Sequence, residues 1–439
     1  MAPRWQLTYD HVSLATINLT LFLHADPLSC AILLAELFLT YSLIRFALNH
    51  GATARLVSLM VLVVLHLGVL GYFKYARFVV HDLMGLPWEF ANRSIPAGIS
   101  FYTFQKLALA IDTVRRDKPL PRVLDFFNYS TFFPQLVAGP IERRDALLPQ
   151  IERFSFNLRL AHLGKALPFL VLGLFYKLVL ADNLGTFELR DELSNAYAIW
   201  LTNLLFGLRI YFDFAGYSFI ALGLAKAFGV QLTLNFRAPY SSASIREFWQ
   251  RWHITLSTWF RDYVYLPMGG SRHGSWVFNI AVVFLVSGLW HGAGINFLLW
   301  GGLHALLMIL GGWSGRLGWR VSNLLSRPAT LVAICFSWLF FYETNFAALG
   351  SKARTLLAPA SYHPRQLAAL VSNSYPQGDR VPLAFIVVVA LLILLVEFRH
   401  RNLPNPYRTL LDWRVSCGLA LALALFAHHG DSPFIYFAF

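Results

Sequence analysis

Charged side chains are scarce in this chain. They make up 13% of its 439 residues, where a soluble domain carries roughly 25%, so an ordinary water-soluble globule is excluded. Cysteine is nearly absent: Cys30, Cys335 and Cys417 each lie inside an apolar run, with no metal-like spacing. They build neither a disulfide framework nor a redox centre and read as small core residues. A glycine-rich phosphate loop of the Walker kind is missing, which argues against ATP coupling within the chain. No two histidines stand at zinc-helix spacing. His291 and His304 are 13 positions apart, about 220° round a continuous helix, so a shared metal is not expected unless glycines break the helix. The N-terminus lacks the basic patch and short apolar core of a cleaved export signal, and insertion is expected from the first true span. With no internal repeat and no long Pro/Gly/Ser linker, one membrane domain over 1–439 is expected.

Apolar surface is what the chain has in excess, at 57% of residues. Runs at 56–73, 167–181, 330–346 and 381–398 approach the ~20 residues that cross a bilayer. Further candidates are 29–49, 197–228 (one long span or two short ones) and 415–428. The expectation is an all-α, polytopic integral membrane protein with about ten spans. The net charge is +13, from 36 Lys+Arg against 23 Asp+Glu. The basic residues cluster between the runs: Arg115, Arg116, Lys118 and Arg122; Arg143, Arg144 and Arg153; Arg316, Arg320 and Arg327; Arg399 and Arg401. That is how cytoplasmic loops beside anionic headgroups are built. Nucleic acid is not expected as a partner, because spans separate the clusters.

The middle of the chain, about 95–310, differs from its ends: polar and charged residues interleave with aromatics there. Irregular backbone at membrane depth is tolerated only inside protein or around a wet cavity, so a site is expected here. Pro96 to Phe104 leads on to Gln105 and Asp112. Phe132-Phe-Pro-Gln-Leu-Val-Ala-Gly-Pro140 holds two prolines and a glycine that break any helix; it reads as a re-entrant element, with a surface turn as the alternative. Asp213, in Ile210-Tyr-Phe-Asp-Phe-Ala-Gly-Tyr-Ser218, costs about 2.5–3.5 kcal/mol at membrane depth unless paired, protonated or wet. A structural ion pair or helix cap accounts for it as well as a catalytic role does.

From Ser244 to Tyr263, Arg246, Arg251 and Arg261 alternate with Trp249, Trp252 and Trp259. This pattern fits an amphipathic helix at the membrane interface, and the rings and guanidiniums also suit an anionic, nucleotide-bearing donor. His253 lies within it. The sharpest feature is Val286-Ser-Gly-Leu-Trp-His-Gly-Ala-Gly294, where His291 stands alone in apolar and small residues. An ionisable group at membrane depth marks a function by default, and imidazole exchanges protons near neutrality. The alternative is a histidine satisfied by a neighbouring helix. Gly288, Gly292 and Gly294 would admit close approach of backbone or substrate. His304 reads as supporting or structural.

Taken in order, these segments resemble the membrane-bound O-acyltransferase family. The strings are Phe133-Pro-Gln-Leu-Val-Ala-Gly-Pro-Ile141, Gly173-Leu-Phe-Tyr-Lys-Leu-Val-Leu-Ala-Asp182, Asp213-Phe-Ala-Gly-Tyr217, Phe248-Trp-Gln-Arg-Trp-His-Ile254, Phe260-Arg-Asp-Tyr263 and Leu289-Trp-His-Gly292. Leu266-Pro-Met-Gly-Gly-Ser-Arg272 and the ending Phe434-Ile-Tyr-Phe437 resemble the branch that acetylates alginate-like polysaccharides. Asp213 to Ser218 is also similar to the teichoic-acid alanylation branch.

The resemblance implies a ring of tilted helices, with re-entrant and interfacial helices, around a central pore. It implies His291 as the catalytic histidine and His253 as the second histidine of the bacterial branch. It implies acetyl-CoA as cytosolic donor, with no bound cofactor, and a multi-pass location in the bacterial inner membrane. Combined with the residue reading, Arg246, Arg251, Trp252, Arg261, Asp213 and Trp290 are the candidates for donor or substrate binding, and no metal is expected. The acceptor is an extracellular polysaccharide such as alginate, with peptidoglycan or teichoic acid as rivals. The hydrophilic segments are short and hold no Gly-x-Ser-x-Gly setting, so a periplasmic serine-hydrolase-like partner is expected to finish the transfer. Two other classes are a lipid-linked sugar transporter, which usually shows repeats, and an inert scaffold for an outside enzyme.

Overall fold

The computed structural model describes residues 4–87, 95–156, 159–189, 192, 194–272, 274–318, 322–373, 375, 377–430 and 434–435. Arg320, Tyr436 and Phe437, singled out above, lie outside the described residues. In chain order the α-helices are α1 (Arg4–Ala25), α2 (Pro27–Leu48), α3 (Ala52–Leu70), α4 (Ile99–Arg115), α5 (Val123–Thr131), α6 (Phe133–Leu136), α7 (Arg144–Glu152), α8 (Leu160–Leu174), α9 (Asp182–Gly185), α10 (Ala196–Ala227), α11 (Ile245–Arg251), α12 (Ile254–Phe260), α13 (Trp276–His291), α14 (Ile295–Arg316), α15 (Asn323–Tyr342), α16 (Phe346–Leu357), α17 (Pro364–Asn373), α18 (Gln377–Arg399) and α19 (Trp413–Phe426). The protein is all-α and polytopic. Seven helical stretches among the described residues are long and apolar enough to cross a bilayer. Two shorter apolar helices, α13 and α19, join them. The 197–228 run is one helix of 32 residues, not two. Cys417 is exposed, not a core residue as expected, because the apolar helix that carries it is largely unburied.

The described chain forms two compact units. One comprises Met1–Leu167 and Ile220–Leu234; the other comprises Pro168–Phe219 and Asn235–Phe439. In the first unit, α2, α3 and α4 meet around buried polar groups. Glu36 holds Lys106 through one carboxylate oxygen and His66 at 3.0 Å through the other. Buried charges persist only when paired in this way. A second buried pair, His11–Asp125 at 2.7 Å, ties α1 to α5. The 132–140 string is buried along most of its length, with α6 as its single helical turn. It is therefore an interior element, and the surface-turn alternative falls.

In the second unit, α13 and α14 form a tight hairpin. A Cβ added at Gly288 would overlap the Phe297 carbonyl, and one at Gly301 would overlap the Phe284 carbonyl. Small residues at these crossings let the backbones touch, which is how membrane helices pack without a hydrophobic driving force. The glycine at 292 faces the Phe297 ring in the same way. Gly288 therefore provides the close approach of backbone expected of it, while Gly292 packs on the Phe297 ring and Gly294 on the Asn296 side chain.

Candidate active site

The interfacial helix expected over 244–263 is broken in the middle. Helix α11 ends at Arg251, and α12 begins at Ile254. Between them His253 adopts φ 43°, the left-handed region that non-glycine residues enter only when held. Asn235 holds it. The Asn235 Oδ1 accepts from the Thr255 amide at 3.2 Å and its hydroxyl at 2.9 Å. His253 Nδ1 lies 3.1 Å from the same oxygen. Since that oxygen accepts throughout, Nδ1 carries the proton and Nε2 holds the lone pair of the neutral ring. Ile254 N donates to the Asn235 carbonyl at 2.9 Å. His253 is fully buried, and burial pushes its pKa down to about 3. It is therefore neutral at pH 7.

His291 is the last residue of α13 and is buried. Trp290 and Trp300 pack edge-on against it at 5.0 Å each, and Phe341 at 5.3 Å. Trp290 also meets His253 at 5.8 Å, so one indole touches both sequence-predicted histidines. The Nε1 of Trp300 has no hydrogen-bond acceptor among the described residues, leaving a buried donor beside the imidazole. The helix does break between His291 and His304, at Gly292 to Gly294. His304 is nonetheless committed: Trp249 Nε1 donates to its Nδ1 at 3.3 Å, and its Nε2 lies 3.1 Å from Ser337 Oγ. An indole N–H only donates, so the His304 tautomer is set with its proton on Nε2.

A cleft of about 900 Å³ runs along the α13–α14 hairpin, within the size range of small-molecule sites. On α13 its wall is made by Trp276, Ile280, Val283, Phe284 and Ser287. These are spaced as one helical face, and the next position on that face is His291, one turn or ~6 Å past Ser287. Arg246, Arg261 and Arg316 also line the cleft, as do Trp249 and Thr258. The Arg316 guanidinium sits 4.2 Å above the Trp276 ring. The turn after α12 is shaped by Gly269 and Gly270, with φ 101° and 58°, and Asn279 Nδ2 caps it through the Gly270 carbonyl at 2.9 Å.

Not every candidate joins this site. Arg246 and Arg261 line the cleft; Arg251, Trp252, Trp290, His253 and His291 do not. Arg251 pairs with Glu247 at 2.9 Å and donates to the Arg237 and Arg401 carbonyls at 3.0 and 2.9 Å, which locks the α11 end in place. Trp252 is buried, stacked on Phe248 and tilted against Trp338. Asp213 is ion-paired, as one of its two sequence alternatives allows. It pairs with Lys177 at 2.7 Å and accepts from the Ile435 amide at 2.8 Å, clamping the C-terminal segment. Sequence reading missed Asn235, Ser287, Trp300 and Arg316. Ser287 and Arg316 carry a helical-face signal once α13 and α14 are known. Asn235 lies 18 residues before His253, and no spacing rule links them.

Comparison with known proteins gives one consistent picture. The profile of MBOAT, the membrane-bound O-acyltransferase family, matches residues 43–326. The chain is similar to the probable alginate O-acetylase AlgI of Pseudomonas putida, 33% identical over 85% of this chain and 82% of that protein. It is similar to the peptidoglycan O-acetyltransferase of Helicobacter pylori, 29% identical over 85% and 81%. The teichoic acid D-alanyltransferase of Bacillus subtilis is 28% identical over 57% and 69%.

Proposed function

Because the chain belongs to the membrane-bound O-acyltransferase family, we propose that it takes acetyl groups from cytosolic acetyl-CoA and passes them across the bacterial inner membrane to O-acetylate an extracytoplasmic polysaccharide of the alginate kind. The observation that carries this reading is the helical face of α13: its cleft-lining positions lead from Trp276 to Ser287, and His291 is next in line. Arg246 and Arg261 in the cleft wall and Arg316 beside Trp276 offer guanidiniums to phosphates, and Trp276 offers a ring to a base. The thioester arm runs along the face toward His291. There the imidazole takes the proton of the accepting hydroxyl as its oxygen attacks the thioester carbonyl. The C–S bond breaks, and the proton leaves with the thiolate as coenzyme A. The orphaned Nε1–H of Trp300 stands beside the imidazole as a donor for the carbonyl oxygen. His253 is neutral, so it acts on His291 through Trp290 packing rather than by charge.

Polysaccharide as the acceptor class is supported by the names of the alginate and peptidoglycan relatives. The peptidoglycan relative covers as much of the chain as the alginate relative, which keeps peptidoglycan as the second reading. Membership of an acyltransferase family displaces the transporter reading. A hydrated polymer needs a long polar groove. The cleft walled by α11 to α14 is assigned to the donor and the hydrophilic segments of the chain are short, so a hydrophilic partner with its own nucleophile is the expected receiver of the acetyl group.

Reconstitution tests both parts. Wild-type protein in liposomes loaded with acetyl-CoA is expected to release acetate slowly outside, or to acetylate an added partner. His291→Ala, inserted equally well, is expected to do neither. Near-normal transfer by His291→Ala would remove the histidine from the chemistry. Full-rate polymer acetylation by the chain alone would remove the partner.

A further inference from the structure

A second cavity, of about 290 Å³, lies between α10, α15 and α18. Its floor is buried: Leu208, Ala238, Cys335 and Glu397. Its mouth is exposed: Leu331, Leu391, Leu395 and Phe398. These mouth residues sit on helices that are apolar enough to span the bilayer, so the cavity opens toward lipid chains. Glu397 is the single charged group in the lining. Its carboxylate is occupied by the hydroxyls of Tyr176 and Tyr211, at 2.7 and 2.8 Å. The Tyr240 and Ser241 hydroxyls donate to the Gly207 and Ala238 carbonyls, and most of the remaining wall is hydrocarbon. A cavity with so few open polar partners favours an apolar ligand over water.

One end of this slot is strongly basic. Phe398 closes it, and two guanidiniums gather on that ring: Arg401 at 4.1 Å and Arg327 at 5.6 Å from its centroid. Arg327 donates to the Ser241 carbonyl and Arg401 to the Phe398 carbonyl at 2.8 Å. Each guanidinium carries five N–H donors, so one carbonyl bond uses only a part of each. A greasy slot with two cations at its end matches an amphiphile with one chain in the wall and a phosphate at the rim.

We propose that this slot binds one acyl chain of an anionic glycerophospholipid, with the headgroup phosphate held by Arg327 and Arg401. The site is separate from the cleft along α13 and does not depend on the acyl-transfer reading. Native mass spectrometry of the delipidated full chain tests it, with phosphatidylglycerol and phosphatidylcholine of matched chains as probes. Phosphatidylglycerol is expected to bind several-fold more tightly. Arg401→Gln and Arg327→Gln are each expected to weaken it about fivefold, the effect of one basic residue near an anionic headgroup, and to leave phosphatidylcholine unchanged. Leu394→Trp, which fills the slot, is expected to weaken both lipids. If it fails to fold, the arginine variants still decide. Equal affinity for the two lipids overturns the proposal, as do arginine variants that bind like wild type. Displacement of phosphatidylglycerol by inorganic phosphate alone also overturns it, because the rim would then be a plain anion site.

Discussion

His253 shows what a single residue does when its backbone and side chain are both held. The Asn235 bonds fix its left-handed φ and its tautomer, and burial keeps it neutral with a pKa of about 3. An unfolded chain binds the proton near 6.5, so the native state binds fewer protons below that pH. This contribution to stability is complete above pH 6.5 and fades as pH falls from 6.5 toward 3. His253→Asn keeps a residue that tolerates the left-handed region. The variant is expected to lose up to about 1.4 kcal/mol per pH unit of acid sensitivity over that window, read from thermal midpoints of the two proteins across pH. A variant as acid-sensitive as wild type would place the proton uptake elsewhere. His291 was visible in the sequence as a lone imidazole among apolar neighbours, and His253 was pointed to by the family resemblance. Their link through Trp290 was not, because it joins a hairpin tip to a break between two short helices.

The α13–α14 hairpin is the element on which the cleft depends. Its crossing is set by two glycines that touch opposing carbonyls, at 288 and 301. Gly301→Val forces extra volume into that crossing. It is expected to cost about 1–3 kcal/mol through overpacking and to reduce acyl transfer as the cleft wall shifts. Gly302→Ala is the control, since its added Cβ meets only the Leu285 side chain, at 3.9 Å. Equal thermal midpoints for the two variants would show that the crossing is not tight. The run 276–291 was legible as an apolar helix. The face that lines the cleft was not, because an all-round apolar helix has no polar side to mark its orientation.

The orientation of the whole molecule in the bilayer follows from the donor. If acetyl-CoA enters from the cytosol, Thr258 in the cleft wall faces that side. Thr258→Cys is expected to react with an impermeant maleimide only when the cytosolic face is open, and to be protected by acetyl-CoA. Protection should weaken at higher salt, since the guanidiniums at Arg246 and Arg261 are exposed and screened. Labelling solely from the outer face would invert the orientation and remove the cleft from the donor's path.

Composition and the length of the apolar runs were enough, by themselves, to determine an all-α polytopic membrane protein, because water cannot solvate so much hydrocarbon and lipid cannot solvate open backbone. The lone histidine at 291 also stood out in the string, since imidazole is costly among apolar neighbours. Only the tertiary structure separated the arginines that line the cleft, Arg246 and Arg261, from Arg251, whose donors are taken by Glu247 and two carbonyls. It alone turned Asp213 into a clamp on Ile435 and brought Arg316 to the cleft from the far end of α14. Those assignments depend on partners distant in sequence, and neither charge nor periodicity along a chain records which of several like residues will meet them.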